Sequence, residues 1–158
     1  MTRRARNRLR GLAVCARTDA RLLLRVLGWR LALPILKHAV PVRTLAGWMA
    51  AVPQPSPGAS VEPRLARVDA LRLMLTHGGR VVMSGNCLER SLVLYRFLGE
   101  AGAEPRLVMG VNRAGGAVGG HAWIELDGEP IEDTPETTFA PVVVFGAGGE
   151  ARRAGARE

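Results

Sequence analysis

Aromatic side chains are scarce here, at 4% of the 158 residues. A hydrophobic core must therefore be built mainly from Leu, Val and Ala, which the 47% apolar content allows. A surface that stacks nucleobases on aromatic rings is not expected either, and no nucleic-acid-binding motif is present. Cysteine is limited to Cys15 and Cys87, too few for a disulfide framework. Neither CxxC nor HExxH spacing occurs, so no zinc site is expected, and no cofactor motif is present. No uncharged apolar run reaches the roughly 20 residues that span a bilayer. The apolar stretch after the Arg-rich start is broken by Arg17, Arg21 and Arg25, which excludes a signal h-region. These absences favour a cytoplasmic protein with reduced thiols. Acids are nearly missing from residues 1–60, where Asp19 faces eleven Lys and Arg; residues 61–158 hold thirteen acids against eleven. The formal charge of +8 is thus a property of the N-terminal segment.

A chain of this length suits one domain with a real core. Apolar residues at helical spacing predict a helix over 18–37 that Pro34 kinks or ends. Pro41 is placed to start a second helix with Leu45, Trp48 and Met49 on one face. Pro53-Gln54-Pro55-Ser56-Pro57-Gly58 reads as a stiff linker. A third helix is expected after Ser60, and another near Cys87, capped by Ser84 or Asn86 and closed by Gly102. The period then changes to two. Strands are expected at Arg106–Val111, His121–Leu126, Pro130–Asp133 and Pro141–Phe145. The Gly-rich stretch Arg113–Gly120 reads as a mobile loop. The organisation is α+β: a basic helical segment (1–58), then a core (59–145) whose nucleophile helix packs on a small antiparallel sheet, then a flexible tail (146–158).

Cys87, His121 and Asp133 carry the chemical signal. Unpaired amides and the dipole at a helix N-terminus favour a thiolate. A His on a following strand can take the thiol proton and return it to a leaving amine. A carboxylate on the next strand can fix the His tautomer. The hairpin between them sets a geometric condition. With a two-residue loop, Asp127-Gly128, His121 and Asp133 fall on opposite faces. In that case Asp133 loses its role and Glu132 needs consideration. With a three-residue loop, Leu126-Asp127-Gly128, they fall opposite each other. The Cys87 amide is the first oxyanion donor, and Asn86 is a candidate second.

These residues resemble the transglutaminase-like cysteine proteases of lasso-peptide biosynthesis. The match rests on Cys87-Leu88-Glu89-Arg90-Ser91-Leu92, Leu107-Val108-Met109-Gly110-Val111, His121-Ala122-Trp123-Ile124-Glu125 and Asp133. It covers roughly residues 60–145. The resemblance implies a reduced papain/transglutaminase-like fold that cuts a ribosomally made precursor peptide between leader and core. It implies that Cys87 attacks the scissile carbonyl, His121 shuttles the proton and Asp133 orients His121. The freed amine would pass to a partner cyclase, and a separate leader-recognition protein would deliver the precursor. The run Gly115-Gly116 and Gly119-Gly120 before His121 departs from the family pattern.

Two other readings stand beside it. An acyltransferase or transglutaminase would use the same thiol and resolve the acyl-enzyme with an amine. A non-catalytic adaptor would use the basic N-terminal segment to dock on a partner protein or, as a peripheral contact, on a membrane surface.

Overall fold

The computed structural model describes residues 20–50, 86–114, 117–131 and 139–155. The expected third helix, the Pro-rich linker, Ser84, Cys15, Glu132 and Asp133 lie outside these residues.

Three helices and one five-stranded sheet make up the described part: α1 (Ala20–Ala39), α2 (Val42–Ala50), α3 (Cys87–Glu100), β1 (Arg106–Ala114), β2 (Ala117–Leu126), β3 (Glu129–Pro130), β4 (Ala140–Phe145) and β5 (Ala151–Arg153). The sheet order is β3-β2-β1-β4-β5 and every pairing is antiparallel. The architecture is α+β, with helices preceding the sheet. No described helix is long and apolar enough to cross a membrane.

α1 runs through Pro34 to Ala39, farther than Pro34 suggested. Proline forfeits its own N–H bond, but Val26 and Leu33 before it are fully buried and Leu36 beyond it packs against the core, which holds the helix on both sides. The Pro41 carbonyl accepts from the Leu45 amide at 3.0 Å, so Pro41 does open α2. Leu45, Ala46 and Met49 are buried, while Trp48 is exposed. Its carbonyl instead accepts from Arg96 Nη1 at 3.0 Å.

α3 is buried almost all round, with Leu92, Val93, Leu94, Tyr95, Phe97 and Leu98 in the core. One continuous cluster joins these residues to α1 and α2 on one side and to Leu107, Ala122, Ile124 and Phe145 of the sheet on the other. Polar groups tie the helices together as well. Arg25 pairs with Glu100 and lies 5.3 Å from the Phe97 ring. Arg96 reaches Glu100 at 3.1 Å and lies 5.1 Å from the Trp29 ring. Arg25 of the basic N-terminal segment thus packs against α3. Gly102, with φ 89°, ends α3: its amide bonds Gly99 O at 2.8 Å and the next amide, of Ala103, bonds Leu98 O at 3.0 Å. This is the paired-bond stop that a left-handed glycine permits.

The strands differ from expectation in three places. Arg113, Ala114 and residues 117–120, expected within a loop, are strand: β1 and β2 pair as far as Ala114 opposite Ala117. The hairpin from β2 to β3 has the two-residue loop, with Leu126 opposite Glu129 and Glu125 opposite Pro130. Asp127 (φ 54°) and Gly128 (φ 85°) are both left-handed, the form whose twist matches the flanking strands and which Asp-Gly favours. In this register Glu129 faces Leu126 and Glu125 faces Pro130, so no like-charge pair stands directly opposed across the hairpin. Finally, residues 146–155, expected within a flexible tail, turn at Gly149 (φ 83°) and return as β5 against β4. Tyr95 donates its hydroxyl to Gly146 O at that turn, and burial pushes the phenol up to about 12.

Candidate active site

Cys87 is the first residue of α3, and its local sequence explains why. Asn86 is extended (φ −69°, ψ 167°) and its side chain accepts from the Glu89 amide at 3.0 Å. Its carbonyl accepts the first helical bond, from Arg90, at 3.2 Å. An Asn cap satisfies one of the donors that every helix start leaves open. The helix itself leaves the amides of Cys87 and Leu88 unpaired, so an oxyanion formed at Cys87 would meet N–H groups. Asn86 uses its oxygen as the cap, and its amide nitrogen remains a donor.

Glu89 follows in the first turn, where a negative charge suits the helix dipole. It is only 7% exposed and pairs with Lys37 of α1 at 2.6 Å. Lys37 thereby anchors the first turn of the nucleophile helix to α1. Ser91 lies one turn beyond Cys87, is fully buried and donates to Ala122 O at 3.0 Å. That bond ties the nucleophile helix to the strand residue next to His121.

His121 sits opposite Gly110 in the ladder. Its ring stacks on Trp123, with centroids 5.9 Å apart and planes at 18°, and tilts against Phe139 at 5.0 Å. Trp123 is held in turn by a bond from Nε1 to Glu125 Oε1 of 3.0 Å. Gly110 is required beneath it: a Cβ there would lie 2.9 Å from the Trp123 ring and 2.8 Å from Ala140 O. Burial lowers the His121 pKa below the usual 6.5, and the positive charge of Arg90 adds to the effect. The neutral imidazole, able to accept a proton, is thus the favoured form at neutral pH.

Cys87 and His121 line one cavity of about 300 Å³. The sequence-predicted nucleophile and base are thus brought to a single site. Asp133 is not among the described residues, and the condition attached to the hairpin, a three-residue loop, is not met. The regular ladder stops at Pro130, with one further bond from Ile131 N to Ile124 O at 3.0 Å. Phe139 and Gly110 are site residues that sequence reasoning missed. A glycine inside a strand pattern does signal close approach, and Gly110 carried that signal; Phe139 carried none. No group of three or more His, Cys, Asp or Glu side chains that could hold a metal occurs among the described residues.

A thiol at a helix start and an imidazole on a neighbouring strand, sharing one cavity in an α+β domain, define a candidate thiol-nucleophile site. A family model for the transglutaminase-like superfamily matches residues 14–144, and the chain belongs to that superfamily. Its members are generally cysteine peptidases or acyltransferases. No curated protein and no solved structure matches the chain.

Proposed function

We propose that this protein is a cysteine peptidase that removes the leader from a ribosomally made lasso-peptide precursor. The observation that carries the catalytic reading is the placement of Cys87 and His121 on one cavity. The leader-peptidase reading rests on the sequence pattern around them. In the proposed reaction His121 takes the Cys87 proton and the sulfur attacks the scissile carbonyl. The oxyanion draws on the amides at the start of α3. The C–N bond breaks as His121 gives its proton to the leaving amine, leaving a thioester on Cys87. Water, deprotonated by His121, then cleaves the C–S bond and restores the thiol. Asp133 is proposed to orient His121 on the family pattern alone, and the two-residue loop makes Glu132 the alternative carboxylate. A separate leader-recognition protein delivers the precursor, and a cyclase takes the freed amine.

Transfer to an amine is the second reading, since the superfamily includes both reactions. One experiment tests both. The protein, a precursor and its recognition partner are incubated and product masses are read. Loss of the leader supports the peptidase, and loss of ammonia with the chain intact supports transfer. Cys87→Ala should lower the rate by roughly 10³-fold or more; undiminished cleavage in that variant would sink the enzymatic reading.

A further inference from the structure

The cavity beside Cys87 has a shape and chemistry that the proposed reaction does not by itself require. α3 begins at Cys87, above Ala122 and Met109, but β1 and β2 run on beyond that point to Ala114 and Ala117. The sheet therefore extends past the helix start, and none of the described helices starts beyond that point on the α3-side face. Val111 (40% exposed) and Val118 (67%) lie on this overhang. Such exposure costs solvation free energy, roughly 25 cal/mol per Å².

β4 adds to the same wall through a bulge. Met109 pairs with Val143 and Gly110 with Pro141, so Val142 is the extra residue. A bulge lets consecutive residues reach one side, and bulges are common beside active sites. Here Val142 and Val143 both line the cavity, with Leu88, Met109, Val111 and Ala122. Apart from Cys87 and His121, no lining residue carries a polar side chain. Gly120 also lines it, and a Cβ there would meet nothing within 4 Å. The missing side chain at Gly120 leaves part of the space open.

We infer that this cavity is a specificity subsite for an aliphatic side chain on the acyl half of the substrate, at or next to the attacked carbonyl. The inference rests on Cys87 being the nucleophile. Cys87 is itself part of the wall, and the acyl half is the part that becomes bonded to it. A charged side chain would be desolvated there without a partner of opposite sign in the wall, whereas Leu, Ile or Val would bury apolar area against six apolar side chains.

The test uses the full chain and N-acetyl-dipeptidyl chloromethyl ketones carrying Leu, Ala or Asp at one position and Gly at the other. The Cys87 sulfur displaces chloride, and labelling of Cys87 is followed by peptide mapping. Each rate is divided by the iodoacetamide rate of the same protein. The Leu probe at the favoured position should exceed the Ala probe by roughly 10- to 100-fold, from three more buried carbons at about 0.8 kcal/mol each. In Gly120→Val the added side chain occupies the space, and the preference should fall to about threefold or less. Val142→Asn, at a half-exposed position, is a second variant that should weaken the preference without a change inside the core. Equal rates for Leu and Asp probes, no labelling of Cys87, or an undiminished Leu preference in both variants would overturn the inference. Leader cleavage that depends on Cys87, without any Leu preference, defeats the subsite and leaves the peptidase standing. A clear Leu preference in Cys87 labelling, with the precursor left uncut, defeats the peptidase and leaves the subsite standing.

Discussion

Two glycines near the site, one step apart in the β1–β2 ladder, make a controlled comparison. Gly110 pairs with His121 and Gly120 with Val111. Replacing either with Ala removes the same backbone freedom from the unfolded chain, a gain of about 0.4–1 kcal/mol. That contribution cancels when the two variants are compared. What remains is packing. At Gly110 the new methyl meets Trp123 at 2.9 Å and the Ala140 carbonyl at 2.8 Å, while at Gly120 it meets nothing within 4 Å. The carbonyl belongs to a paired strand and cannot swing aside, so overpacking should cost about 1–3 kcal/mol. Gly110→Ala should therefore melt below Gly120→Ala by about 2–12 °C, taking 2–4 °C per kcal/mol for a chain of this size. Thermal denaturation by circular dichroism gives this difference directly. Proton NMR of His121 adds a local readout, because displacing Trp123 changes the ring current at the stacked imidazole. Equal melting points, or a lower one for Gly120→Ala, would refute the reasoning and the placement of Trp123 over Gly110.

Asn86→Ala should lose the bond to the Glu89 amide and about 1 kcal/mol of stability, measured by denaturant unfolding. Asn86→Asp keeps an acceptor for the cap but removes the amide donor; retained stability with kcat down about 100-fold would assign Asn86 to the oxyanion. Lys37→Met leaves the buried Glu89 unpaired and should cost roughly 2–3 kcal/mol, discounted because Lys37 is partly exposed. Lys37→Met with Glu89→Leu should recover most of that loss in a double-mutant cycle. His121 has a folded pKa below its unfolded 6.5, so its contribution to stability is fully present above 6.5 and is lost as pH falls through the folded value. The NMR titration of its Cε1 proton should show an inflection below 6.5, and His121→Phe should flatten the loss of melting temperature on acidification; an inflection above 6.5 would contradict the burial of the ring.

Much of the site was legible because local rules and tertiary structure agree there. Asn86 caps, Cys87 follows, Leu92, Tyr95 and Leu98 are buried, and Gly102 stops the helix, each for a reason contained within one or two turns. The strand at His121 was legible from its alternation. The loop at Asp127-Gly128 was not settled in advance, because two loop lengths fit the same pattern. The left-handed tolerance of Asp decided in favour of the shorter one. The Gly-rich stretch before His121 was misread because glycine is a poor strand former by itself. It is a strand here because the opposing residues of β1 offer a continuous ladder. The β5 pairing was missed because Ala151-Arg152-Arg153 has no apolar alternation. Its place is set by the turn at Gly146–Glu150, where the Gly146 amide bonds Glu150 O at 3.0 Å.

α3 is enclosed by helices on one side and by the sheet on the other, and Cys87 is the tip of that enclosed rod. Its central amides should exchange with solvent only when the whole domain opens, making them the slowest in the molecule. The Cys87 backbone then has almost no freedom to shift on the microsecond-to-millisecond timescale of loop motions. Any control over reactivity must come from what approaches it, such as the imidazole, the chain segments around the cavity or the incoming peptide. Cys87 is the fixed point against which those parts move.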